Sequence, residues 1–163
     1  MEKHAESGQA TVEAAVCIPV LFVLLLLLLQ PAFLLYDRIV MMGAAQEACR
    51  LLATKTDALG DMQGACEAFV RHRLSAIPQT DCFHVHGGGC TWEIELDGDE
   101  TAEEVRVRIA TQVRPLPLVD AAGALLGLVN DKGNLVVEVE ASAATQPAWV
   151  ESRNPESWVG GWL

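Results

Sequence analysis

Basic residues are scarce. Of 163 residues, 22 are Asp or Glu and only 11 are Lys or Arg, for a formal charge of −11 at pH 7. Phosphate backbones are held by basic patches, so this balance argues against a nucleic-acid partner. Catalytic groupings are lacking too. His72, Ser75 and Asp81 are scattered, and no glycine-rich loop follows a strand to cradle a phosphate. No cofactor and no enzymatic activity are expected. Charge is wholly absent from Ala14 to Tyr36, and that absence sets the class of the protein.

The charge-free run is about 23 residues long, and a helix needs about 20 to cross the hydrocarbon of a bilayer. Gln30 and Pro31 interrupt it, but proline is tolerated in membrane helices. A domain this small cannot hide so long an all-round apolar helix in its core. Gly43-Ala44-Ala45 offers a small-residue cleavage site of the ordinary secretory kind. The near-neutral "MEKHAES" and the length of the apolar stretch argue against that use. Lys3 and His4 before the run and Arg38 after it leave orientation weakly signalled. Cysteine usage adds to it. Cys17 lies in the run, while Cys49, Cys66, Cys82 and Cys90 lie behind it. An even number of cysteines in a small exported body points to an oxidising compartment.

Glu13 stands at the edge of the apolar run, five residues after Gly8. A carboxylate there costs a few kcal/mol unless it reaches the interface or a partner. Cleavage after Gly8 would make Gln9 the N-terminus and set its amine one helical turn from Glu13. "GQATVEAAVCIPVLFVLLLLL", with Pro19 soon after the glutamate, resembles a class III signal peptide, and more narrowly the TadE-like minor pilins of tight-adherence (type IVc, Flp) pilus systems. The resemblance spans about Gly8 to Leu52. Family members often carry an aromatic residue after the glutamate, where this chain has Ala14.

The resemblance implies a prepilin peptidase cutting Gly8–Gln9 at the cytoplasmic face. It implies a single-pass protein of the inner or cytoplasmic membrane, N-terminus cytoplasmic and body outside. Glu13 would register subunits during assembly, and the partners would be other pilins or pseudopilins of the same system. The expected organisation is a leader at 1–8, a transmembrane helix at 9–36, a helix extension at 37–60, an α+β domain at 61–145 and a Trp-rich tail at 146–163. The rival reading is an uncleaved single-pass envelope binding protein with a disulfide-stabilised domain.

Behind the membrane, Met41, Ala44, Ala45, Ala48, Leu51 and Leu52 share one helical face. Gly60 suits the end of that helix and Asp61 the N-cap of a second, which carries Met62, Cys66, Phe69, Val70, Leu74 and Ile77 on one side and ends by Pro78. The period then becomes two. "CTWEIELD", "VRVRIATQVR" and "NLVVEVEASA" each alternate apolar and polar residues, as half-buried antiparallel strands do. The connector "LPLVDAAGALLGLVND" has room for one short helix. The sum is α+β: long helix, second helix and a sheet of about three strands. A hairpin with Asp97 opposite Glu104 would set Leu96 against Val105, Glu95 against Arg106, Ile94 against Val107 and Glu93 against Arg108. "VVEVE" on the other edge would bring Glu138 and Glu140 towards the same arginines.

"CFHVHGGGC" has two readings. A Cys82–Cys90 disulfide closing a glycine-rich hairpin is the leading one. As a strand, the segment would instead point Cys82, His84 and His86 one way, a tolerable metal set with Cys90. A Cys49–Cys66 bridge is a weaker expectation, since it requires the second helix to cross the first obliquely. In the tail, Trp149, Trp158 and Trp162 either pack back on the sheet or offer an apolar contact to a partner.

Overall fold

The computed structural model describes residues 2–54, 61–86, 92–99 and 102–145. One helix, α1, runs unbroken from Glu2 to Thr54 and contains Pro19 and Pro31. From Gly8 to Leu29 every residue is exposed, and the helix is long and apolar enough to cross a membrane. It is a single-pass anchor. At Gln30 the pattern changes. Gln30, Asp37, Met41, Ala44, Ala45, Ala48, Cys49 and Leu52 are buried, at the three- and four-residue spacing of one helical face.

That face roofs a three-stranded antiparallel sheet of order β1-β2-β3, formed by β1 (Glu93–Asp97), β2 (Glu104–Val113) and β3 (Leu135–Ala144). Val105, Val107, Ile109 and Val113 of β2 meet it, with Val137 and Val139 of β3. The alanines of α1 let the helix axis come close to the strands. A second helix, α2 (Met62–Leu74), packs beside α1. Asp61 caps it, accepting the Gly64 N–H at 2.9 Å, and Cys66, Val70 and Leu74 are its buried side. Arg73 pairs with Glu47 of α1 across the seam. The connector after β2 forms α3 (Pro117–Leu125). The architecture is α+β, as the periodicities predict. Gly60 and the Trp-rich tail from 146 lie outside the described residues.

The hairpin register differs from the expected one by two residues. Asp97 faces Arg106, Leu96 faces Val107, Glu95 faces Arg108 and Ile94 faces Ile109. The cause is the turn. Gly98 adopts φ +86°, and a Cβ there would meet the Glu104 carbonyl at 2.8 Å. Ala102 N–H then donates to both the carbonyl and Oδ1 of Asp99. This wide turn delays pairing until Arg106, so Glu104 and Val105 pair only with β3. A slip of two keeps every side chain on its face, where a slip of one would invert them.

The central strand carries the cations of an acidic face. Arg108 donates through Nε and Nη2 to the two carboxylate oxygens of Glu138, at 2.6 and 2.9 Å, and through Nη1 to Glu95 at 3.0 Å. Arg106 makes a looser pair with Glu140 at 3.3 Å. On the β3 side each arginine reaches diagonally, to the glutamate two residues beyond its direct neighbour. All these groups are solvent-exposed, so the pairs select register more than they stabilise. Arg108→Glu is expected to lower the melting temperature by several degrees at low salt, and more than Arg106→Glu does. Added salt should recover part of the loss. Thermal melts of the two variants at low and high ionic strength check this. An Arg108→Glu protein that melts with the parent at low salt would mean the pairs carry no register information.

Candidate functional site

The threshold of α1 is open on all sides. Gly8, Gln9 and Glu13 are exposed residues of the continuous helix. A Cβ added at Gly8 meets no atom within 4 Å. Nothing in this chain's own packing therefore demands a small residue there. Gln9 Nε2 donates to Glu13 Oε1 at 2.9 Å, one turn away. That bond keeps the carboxylate against its own helix and leaves its other oxygen to the surroundings. The arrangement has no nucleophile or base pair, and offers an accessible backbone, an amide and an anion.

The segment from Cys82 to His86 is not a strand. Phe83 and His84 N–H both donate to the Thr80 carbonyl, which makes 80–84 a turn. Val85 N–H then reaches the Gln112 carbonyl, and the Asp81 carbonyl accepts the Arg114 N–H, so two isolated bonds tie this segment to the end of β2 past β1. His84 is buried and stacks on Trp92, with centroids 4.2 Å apart and planes 6° off parallel. Its Nδ1 lies 2.6 Å from Thr111 Oγ1, and His86 meets its edge at 4.6 Å. Burial, and then the neighbouring His86, lower the His84 pKa. A neutral imidazole in an aromatic stack is a packing element. His86 turns outward to Gln79, and Cys82 Sγ sits 3.5 Å from Thr80 Oγ1. Among the described residues no three His, Cys, Asp or Glu side chains converge as metal ligands. Cys90, needed for both the disulfide and the metal reading, lies outside the described residues.

The Cys49–Cys66 bridge is not formed in the structure. Cys49 carries a free thiol, whose Sγ donates to the Ala141 carbonyl of β3 at 3.2 Å. Cys66 Sγ is directed to the Ala48 carbonyl of α1, at 3.8 Å. Burial pushes the Cys49 thiol pKa up, partly offset by a backbone hydrogen bond with Val107. Cys49 is therefore a protonated core residue.

Two residues that periodicity did not single out occupy the start of the buried face. Gln30 Oε1 accepts the Leu116 N–H at 2.7 Å. This bond joins the end of β2 to the anchor. Seven residues on, Asp37 is fully buried, and among the described residues neither carboxylate oxygen has a hydrogen-bond partner. Burial alone raises its pKa from 3.8 to about 7. The available signal was the spacing: Gln30 and Asp37 lie on the stripe of Met41, Ala44 and Ala48. A buried acid of raised pKa favours folding while both states are protonated, below about pH 3.8. That contribution fades as pH rises and is gone above about 7. Asp37→Asn is thus expected to match the parent at pH 4 and to exceed it in stability at pH 8. Denaturant titrations across that range check it. Parallel pH profiles for the two proteins would show that Asp37 is not desolvated in the native state.

Residues 8–50 match the family model described as TadE-like protein. No curated protein and no solved structure matches the chain. The matched segment begins at the threshold glycine and ends within the buried stripe, and the sheet lies beyond it. The chain is therefore similar to TadE-like proteins from Gly8, through the anchor, to the part of α1 that roofs the sheet.

Proposed function

We propose that the protein is a structural, non-enzymatic component of a tight-adherence (type IVc) pilus machine, a minor pilin or pseudopilin. The observation that carries the reading is Gly8. It is exposed with open space around it, so the backbone at Gly8–Gln9 is accessible to another molecule. A prepilin peptidase that grips that backbone is the partner this reading calls for. The exposed Glu13, bonded to Gln9, would then meet the new amine of a neighbouring subunit. The match over residues 8–50 supports the same assignment.

In this reading the N-terminus is cytoplasmic and the body lies outside the inner or cytoplasmic membrane. Other pilins or pseudopilins of the same system are the partners. On that side Cys82 and Cys90 are expected to join. Peptide mapping without reductant that recovers alkylated Cys82 as the main species would exclude the bridge.

Cleavage and assembly are separable. The mature parent is expected to begin at Gln9, and Gly8→Leu to keep its leader. Glu13→Ala should insert and mature normally, because it only removes a cost of insertion, but should reduce pili several-fold. N-terminal sequencing and pilus counts by electron microscopy read the two effects. A parent chain retaining Met1 beside an active peptidase favours the uncleaved envelope anchor. Normal pili from Glu13→Ala would remove the registration role.

A further inference from the structure

The end of the body nearest the anchor carries an unpartnered apolar turn. β2 runs towards α1 and the chain leaves it at Leu116, whose N–H binds Gln30 of the anchor. β3 starts again at Leu135, directly opposite Val113. Residues 114–134 must therefore cap that end of the sheet, and α3 lies within them. The return is clamped by Gln112, whose Oε1 accepts from both Asn130 and Asn134 side chains. Between Pro115 and Asn130 there is one charge, Asp120. Leu125, Leu126 and Leu128 are 89, 71 and 62% exposed, an unusual placement for three consecutive leucines around a glycine turn in water.

The depth of this end follows from the anchor. At about 1.5 Å per residue, Gln30 stands roughly 25 Å along α1 from Glu13. The hydrocarbon is about 30 Å thick, so with Glu13 at one interface Gln30 falls just inside the other. An interfacial helix sits about 5–10 Å into the headgroup and acyl boundary, which is the same level. A second observation agrees. Phe33 and Phe83 rings lie 4.4 Å apart, Tyr36 meets Phe83 edge-on, and the Tyr36 hydroxyl donates to the Ala76 carbonyl at 3.0 Å. This aromatic group, with Arg38 exposed beyond it, has the make-up of a membrane-interface belt.

We propose that α3 and the turn after it dock into the bilayer, in the leaflet nearer the body, with Leu125, Leu126 and Leu128 as the inserted side chains. The inference rests on α1 spanning the membrane. The occupant is lipid because α3 contacts α1 and its connector is joined to the anchor at Gln30, at the level where the span meets the interface. Asp120 stays in the headgroup layer. The body is then held at two points, which fixes its rotation about α1 as well as its height.

The test uses the full chain in phosphatidylcholine nanodiscs whose acyl chains are brominated both near the glycerol and near the methyl end. Leu126→Trp adds one indole at an exposed position, read as the difference from the parent, and Leu24→Trp marks the span. The expected result is a blue-shifted added emission for Leu126→Trp that loses most of its intensity in brominated lipid. Red-shifted, unquenched emission from Leu126→Trp, with Leu24→Trp quenched, overturns the docking and leaves the anchor standing. Blue-shifted emission that bromine does not quench overturns it too, since protein then covers the turn. An unquenched Leu24→Trp overturns the spanning anchor, and the docking with it.

Discussion

The hydrogen bond from Leu116 to Gln30 is the joint on which the two halves of the molecule turn. Up to Leu29 the helix is exposed on every side, which only lipid or other apolar helices can satisfy. From Gln30 on, one face belongs to the sheet. An amide inside an apolar run would be costly to leave unpaired. Gln30 offers its oxygen to a backbone N–H that the sheet end would otherwise strand. The same bond therefore satisfies the Gln30 oxygen and marks the end of β2, while Gln30 Nε2 stays buried with no partner among the described residues.

Above that joint the packing is close and the surface is charged. Ala44, Ala45 and Ala48 pack α1 into one buried cluster with Val105, Val107 and Ile109. Such a contact positions the sheet faces but is indifferent to register along the strand. Register in the hairpin comes from the turn at Gly98 and Asp99, and on the other face Arg108, forked between Glu138 and Glu95, favours it. Apolar packing thus chooses which face of β2 is in, and the turn, with the ion pairs in support, chooses which residues are opposite.

This division explains what periodicity could reach. The two-residue alternation of β1, β2 and β3 and the stripe from Met41 to Leu52 read directly as faces, and both are found. The hairpin register was out of reach because it depends on a left-handed Gly98 and the Asp99 turn, which act on backbone geometry and leave the alternation untouched. The turn at 80–84 hid in the same way. Alternating Cys82, His84 and His86 looked like a strand, while the Thr80 carbonyl captured two N–H groups first. Gly8 and Glu13 were legible by spacing, and the structure adds only that they are unhindered. Gln30 was missed because it was read as an interruption of the apolar run, and Asp37 because the buried stripe was read only from Met41 on.

The helix carries one carboxylate at each edge of its charge-free run, and the two are treated oppositely. Glu13 is exposed and has a donor in Gln9. Drawing it into hydrocarbon would cost a few kcal/mol, so it acts as a stop. Asp37 is buried with no donor among the described residues and titrates near neutrality, so it opposes sinking far less. What limits the helix at that end is the bulk of the body joined at Gln30. A helix with one electrostatic stop and one steric stop has a direction: it can be released towards the side where its charge is neutralised. A neighbouring subunit's amine at Glu13 would do so, while the body could not follow through the bilayer. The asymmetry lies in the residues flanking the run and not in the run itself, which is uniformly apolar.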